Sequence, residues 1–148
     1  MNITGNIASE NPSEEVIEMD QSFFPNPWEA SQWSQIDPNL NHLFTWRRDQ
    51  KLKGFALFGI APLDDVAHLY KLVILPEFRG GTTAKEFWLQ LSDSLIQLGM
   101  RRVYLEVEMD NTRAINFYLK VGFQTLRRAR GFYSNGRDAF IMELTLMV

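Results

Sequence analysis

Apolar and polar positions along this chain change period several times, and the changes divide it into elements. In ASENPSEEVIEMDQSF (residues 8–23), Val16, Ile17 and Met19 follow Ser13, which predicts a helix opened by that serine. Pro25 and Pro27 in the following FPNPW end it, because two prolines so close together cannot sit inside a helix. WEASQWSQI predicts a second, short helix. LFTWRR and GFALFGIA flank DQKLK as a hairpin, and VAHLYKLVILP is a third strand closed by Pro76. Ala84, Phe87, Trp88, Leu91, Leu95 and Leu98 then recur at three- and four-residue steps, a helical stripe from about Thr83 to Leu98 with Gly99 as C-cap. In RRVYLEVEM the period returns to two: Val103, Leu105 and Val107 face one way, Tyr104, Glu106 and Glu108 the other. NTRAINFYLKVGF predicts a short helix with Asn111 as N-cap and Gly122 at its end. FQTLRRARGFY and AFIMELTL pair as a last hairpin about Asn135-Gly136. This order predicts an α/β (α+β) fold, a mixed sheet covered by helices.

Composition narrows the picture. The 148 residues suit one domain spanning 1–148, and 45% hydrophobic with 13% aromatic residues is enough apolar material for a packed core. A net charge of −3 supplies no basic field for a phosphate backbone, so nucleic acid is not expected as a partner. The absence of cysteine excludes disulfides, thiolate metal sites and a cysteine nucleophile. His42 and His68 match no metal spacing, and no metal is expected. MNITGNIASENPSEE is acidic and lacks the apolar core of a signal peptide, and no apolar run approaches the ~20 residues that span a bilayer. A cytoplasmic protein that engages no membrane is the expectation.

Four features carry candidate chemistry, each with a plainer alternative. Arg79-Gly80-Gly81-Thr82-Thr83-Ala84 joins a strand to a helix, where unpaired backbone N–H groups and approaching glycines suit a diphosphate. The alternative is a capping box of Thr83 with Glu86, which satisfies the same N–H groups internally. Glu106, on a strand between two inward apolar residues, is either a general base or part of a solvated face. Tyr118 shares a helix face with Ala114, Phe117 and Val121, and is either a proton donor or a core residue. The aromatics of FFPNPW and of the segment before Asn135-Gly136 lie on loops, where large side chains line clefts as well as cores. No serine sits in a G-x-S-x-G turn.

Together these segments resemble the GCN5-related N-acetyltransferase (GNAT) superfamily, and most closely its ribosomal-protein alanine N-acetyltransferase (RimI-like) branch. The resemblance runs from about Val16 to Leu144. HLYKLVILPEFRGGTTAKEFW is similar to the strand–loop–helix that holds acetyl-CoA, and LEVEMDNTRAINFYLKVGF to the Leu-Glu-Val…Asn-x-x-Ala-x-x-x-Tyr-x-x-x-Gly-Phe segment. FFPNPW and RRARGFYSNGRDAFIMEL resemble two substrate-side segments.

The resemblance implies a mostly antiparallel sheet of six to seven strands flanked by about four helices. It also implies direct acetyl transfer from acetyl-CoA to a primary amine, without an acyl-enzyme. Leu72, Val73 and Ile74 would offer backbone groups to the pantetheine arm. Arg79, Gly80, Gly81, Thr82, Thr83, Ala84 and Lys85 would wrap the pyrophosphate, and Asn111 would help hold the cofactor. Glu106 would take the ammonium proton, through water, and Tyr118 would protonate the leaving thiolate. Pro27, Trp28, Phe132 and Tyr133 match peptide-groove positions; Trp28 is equally suited to anchor the N-terminal helices. The implied acceptor is a protein or peptide N-terminus, a ribosomal protein by family analogy, and the implied state a monomer or weak dimer. A small-amine or lysine acetyltransferase and a non-catalytic acyl-CoA-binding or partner-binding domain are the alternatives on the same fold.

One position departs from the pattern. The family loop Gln/Arg-x-x-Gly-x-Gly/Ala carries Thr82 at its middle glycine. A positive φ there would cost about 1–2 kcal/mol and crowd the ligand. A negative φ would leave the Thr82 N–H free to donate.

Overall fold

The computed structural model describes residues 6–60 and 63–146. Its seven strands are β1 (Asn6–Ser9), β2 (Asn41–Arg48), β3 (Lys51–Ile60), β4 (Val66–Ile74), β5 (Arg102–Glu108), β6 (Gln124–Ala129) and β7 (Ala139–Thr145). The helices are α1 (Glu14–Phe23), α2 (Ala30–Ser34), α3 (Gly81–Gln97) and α4 (Thr112–Lys120). The sheet runs β1-β2-β3-β4-β5-β7-β6, with every pair antiparallel except β4–β5. This is the mixed, mostly antiparallel sheet with four flanking helices that the resemblance implies.

Two differences are local. Asn6–Ser9 lies in the polar N-terminal stretch from which no strand was expected; it pairs with β2 as an edge strand. Four residues bonded on one side leave little periodicity to read. In the last hairpin the strands stop at Ala129 and Ala139, short of the expected turn. Asn135-Gly136 does turn the chain, with Gly136 N donating to Tyr133 O and Asn135 Oδ1 accepting from Arg137 N. Asp138, however, accepts from Gly131 N and pairs with Arg128, so residues 130–138 form a loop of their own carrying Phe132 and Tyr133.

The central strands are buried on both faces, which is why FALF reads as an unbroken apolar run. Phe44, Trp46, Ala56 and Phe58 pack on the α3 side against Phe87, Trp88, Leu91 and Leu95. Leu43, Phe55, Leu57 and Val73 pack on the opposite side against Val16 and Met19 of α1 and Trp33 of α2. Ser13 caps α1 as predicted, accepting from Val16 N.

A buried ion pair holds the α1/α2 layer to the sheet. Lys71 Nζ lies 2.8 Å from Asp20 Oδ1, with the two residues 2% and 0% exposed. Asp20 Oδ2 accepts from Trp28 N and Trp33 Nε1, and Lys71 also donates to Asn26 O. The ammonium lies 4.1 Å from the Phe24 ring centroid and 4.9 Å from that of Trp28. Desolvation pulls the Lys71 pKa down, and Asp20 opposes that shift. One residue of β4 thus fixes α1, α2 and the proline-rich loop between them.

Removing one partner of such a pair strands a charge. Lys71→Met is expected to lower stability by about 3–5 kcal/mol in urea unfolding. Adding Asp20→Asn should return the larger part of that loss. Equal losses in the single and double variants would show that the indole and amide donors satisfy Asp20 without Lys71.

Candidate active site

β4 and β5 pair only through Val66↔Arg102, Ala67↔Val103 and His68↔Tyr104, and then diverge. The cause lies on β4. Leu57 pairs with Lys71 while Phe58 pairs with Leu69, so Tyr70 is an extra residue, a β-bulge that sharpens the local twist. Beyond it, β4 stays bonded to β3 and β5 to β7, leaving their facing edges unpaired. A cavity of about 480 Å³ occupies the opening. Its walls include Leu72, Val73 and Ile74 from β4, Glu106 and Glu108 from β5, Tyr118 from α4 and residues 23–26 of the proline-rich loop.

The glycine loop lies at one end. Gly80 and Gly81 have φ of +73° and +60°, in the left-handed region that favours glycine, and α3 starts at Gly81. Thr82 is already inside the helix with negative φ, so the conformational penalty weighed for it does not arise. The Thr83–Glu86 capping box does not form either. The N-cap is Gly80, and no side chain caps the helix. Its first N–H groups are therefore not satisfied by a side chain, the arrangement that suits an anion. Arg79 Nε donates to Ile74 O, closing one carbonyl of β4 and turning the guanidinium into the cavity wall. Burial first, and then Arg113 of α4, pull the Arg79 pKa down. Of the loop residues named from sequence, Arg79, Gly80 and Ala84 line the cavity; Gly81, Thr82, Thr83 and Lys85 sit beyond its lining at the helix start.

Glu106 lies just past the point of divergence. Its Oε1 is 2.7 Å from His68 Nε2, and its other oxygen has no hydrogen bond to a described residue. Tyr118 lines the same cavity from α4, and its hydroxyl is bonded to no described residue. Burial, with a smaller contribution from Tyr133, pushes the Tyr118 phenol well above the ordinary tyrosine value, so it remains protonated. Asn111 also lines the cavity, but its Oδ1 caps α4 by accepting from Ala114 N.

Tyr133 also reaches the cavity, while Phe132 packs edge-on against it, 5.0 Å between centroids, and is about half exposed. Burial, then Glu108 and Glu106, push Tyr133 up to about 12. Pro27 and Trp28 lie outside the lining. Trp28 packs on Trp33 at 5.1 Å and over Lys71, the anchoring position that its sequence also allowed. Phe23, Phe24, Pro25 and Asn26 line the cavity instead. Sequence reasoning also missed Tyr70, Arg113 and His68. The first two lack any local signal, because a bulge places Tyr70 and the cavity brings Arg113 near Arg79, which is distant in sequence. His68 was excluded as a metal ligand and never paired with Glu106, 38 residues away. Among the described residues no group of three or more potential metal ligands occurs.

Residues 10–123 match the Acetyltransferase (GNAT) family. The [ribosomal protein bS18]-alanine N-acetyltransferase of Escherichia coli strain K12 is 27% identical over 123 residues, covering 81% of this chain and 82% of that protein. The crystal structure of the ribosomal-protein-S18-alanine N-acetyltransferase from Escherichia coli superposes with a TM-score of 0.79 at 21% identity, over 97% of this chain and 96% of that one. A Bacillus subtilis acetyltransferase solved in complex with CoA gives a TM-score of 0.78 at 14% identity, over 97% and 100% of the two chains.

The backbone at the helix start makes opposite demands on neighbouring residues. Gly81→Ala places a side chain in the left-handed region and is expected to cost about 1–2 kcal/mol. Thr82→Gly should also destabilise, by no more than about 1 kcal/mol, through lost helix propensity. Urea denaturation of both variants checks the pair, and a stabilising Thr82→Gly would show that Thr82 is strained.

Proposed function

The chain belongs to the GNAT acetyltransferase family, and from that premise we propose that this N-acetyltransferase moves an acetyl group from acetyl-CoA to the α-amine of a protein N-terminus, with a ribosomal protein as the natural acceptor. The observation that carries the reading is the opening between β4 and β5, whose cavity is lined by both an acid, Glu106, and a phenol, Tyr118. The relatives named for bS18-alanine acetylation support the choice of acceptor.

In this reading the unpaired edge of Leu72, Val73 and Ile74 hydrogen-bonds the extended pantetheine arm. The diphosphate lies at the uncapped start of α3, with Arg79 and Arg113 facing it. Thr82 contributes a backbone N–H there without obstructing the approach. The acceptor enters between residues 23–26 and the 130–138 loop, past Tyr133. An ammonium has no lone pair, so it must lose a proton before it attacks the thioester. Glu106 takes that proton through a water. The amine nitrogen then bonds to the acetyl carbon, the carbon–sulfur bond breaks and Tyr118 donates to the departing thiolate; the second proton, which the nitrogen sheds in becoming an amide, restores the phenol.

Glu106, Glu108 and Asp110 line the cavity, and Arg137 sets one positive charge against the last two, at 3.6 and 3.3 Å. The carboxylates suit a cationic amine but do not distinguish a peptide terminus from a polyamine. A panel of peptides with free α-amines against spermidine and lysine side-chain amines, with acetyl-CoA as donor, tests the reading. Preferential acetylation of a peptide terminus supports it, whereas turnover confined to small amines assigns the site to the other class.

Tyr118→Phe is expected to lower kcat by about 10²-fold, the usual scale for removing a proton-transfer group. Acetyl-CoA affinity by calorimetry should be unchanged. A retained kcat would return Tyr118 to a packing role.

A further inference from the structure

We propose that His68 is the positioning residue for Glu106, holding one carboxylate oxygen so that the other faces the acceptor amine; this rests on the acetyl-transfer reading above. His68 is the last residue of β4 paired with β5, and Glu106 lies two residues beyond its partner Tyr104 on the same face of β5. The 2.7 Å contact therefore bridges the two strands where they part. With Glu106 ionised, as a base must be, the carboxylate can only accept, so the contact is a hydrogen bond in the tautomer that carries its hydrogen on Nε2. The carboxylate is then fixed in rotation, and its remaining oxygen has no competing hydrogen bond among the described residues.

The imidazole is itself held in place. Tyr104 stacks on it at 4.2 Å and 20°, and Tyr70 lies against it at 4.4 Å. Tyr70 can adopt that position because β3 offers Gly59, whose absent Cβ would meet the Tyr70 ring at 2.6 Å. Gly59 is also the β3 partner of His68, so no side chain from that strand competes for the ring. The bulge that opens the cavity thus places Tyr70 on the histidine that aims the base. Side-chain exposures of 20% for His68 and 17% for Glu106 leave the pair in contact with solvent, to which a proton can depart.

A base held in this way loses its advantage when the holder is removed, even though the base remains. His68→Leu should lower kcat by about 10- to 100-fold, the scale measured when the group orienting a functional ligand is lost. KM for the acceptor peptide and acetyl-CoA affinity by calorimetry should change little. His68→Gln keeps an N–H donor and should recover much of the rate.

The decisive comparison is a double-mutant cycle with Glu106→Gln, using the best peptide of the acceptor panel. If His68 acts through Glu106, His68→Leu costs nothing further once the carboxylate is gone. The same loss in both backgrounds, or a wild-type rate in His68→Leu, overturns the assignment while leaving acetyl transfer intact. A wild-type protein inert toward every amine overturns both. Should His68→Leu fail to fold, Gly59→Ala displaces Tyr70 from the imidazole instead. It is then expected to lower kcat in the wild-type but not in the Glu106→Gln background, and an equal effect in both counts against the proposal.

Discussion

The site exists because two parallel strands stop pairing after three residues. A sheet normally satisfies each backbone group with the next strand, and an interior edge left open without a partner costs about 1–3 kcal/mol for every buried group. Here the outer sides of both diverging strands are fully engaged, β4 with β3 and β5 with β7, so neither can relax toward the other. The extra residue at Tyr70 commits β4 to its direction. The outcome is a rigid opening, with free donors and acceptors along one wall and side chains of alternating direction along both. Cavity, glycine loop and carboxylate all take their positions from it.

The same bulge sets the direction of a lysine that stands among the apolar residues of β4. The inserted residue changes which face each later side chain takes, so Leu72 lines the cavity while Lys71 points into the α1/α2 layer. A buried ion pair is a poor source of net stability, because desolvating two charges offsets most of their attraction. It is a good source of definition. Asp20 and Lys71 between them fix two backbone groups of the loop that forms the cavity's far side, Trp28 N and Asn26 O. An apolar pair of equal volume would bury α1 as well and leave that loop without a register.

Much of the fold was legible in the sequence, since α3, β5 and α4 each repeat at one clear period. Asn111 and Ser13 cap their helices as their side chains predict. What was not legible depends on contacts distant in sequence. The Thr83–Glu86 capping signature was locally plausible, but two glycines at positive φ moved the helix start to Gly81. In the same way, nothing in VAHLYKLVIL marks Tyr70 as the inserted residue, and nothing near Asp20 announces Lys71. Family resemblance named Glu106 and Tyr118, and both do face one cavity; it did not supply the Glu106–His68 contact, which spans two strands.

The division of labour proposed for those two groups agrees with their surroundings. Glu106 sits where a proton can leave to solvent, and a base needs that exit if it is to be ready for the next turnover. Tyr118 sits deep, where desolvation keeps the phenol protonated at any physiological pH. Considered alone, so strongly held a proton would oppose transfer to a thiolate, whose conjugate acid has a pKa of about 8.5 in water. The departing sulfur, however, would form beside the buried phenol, and burial raises the proton affinity of a thiolate just as it raises that of a phenolate. The relevant comparison is between two desolvated anions, and it is much closer than that of a buried phenol with a thiol in water. The environment that keeps Tyr118 from ionising early is therefore also the one that lets it give up its proton late.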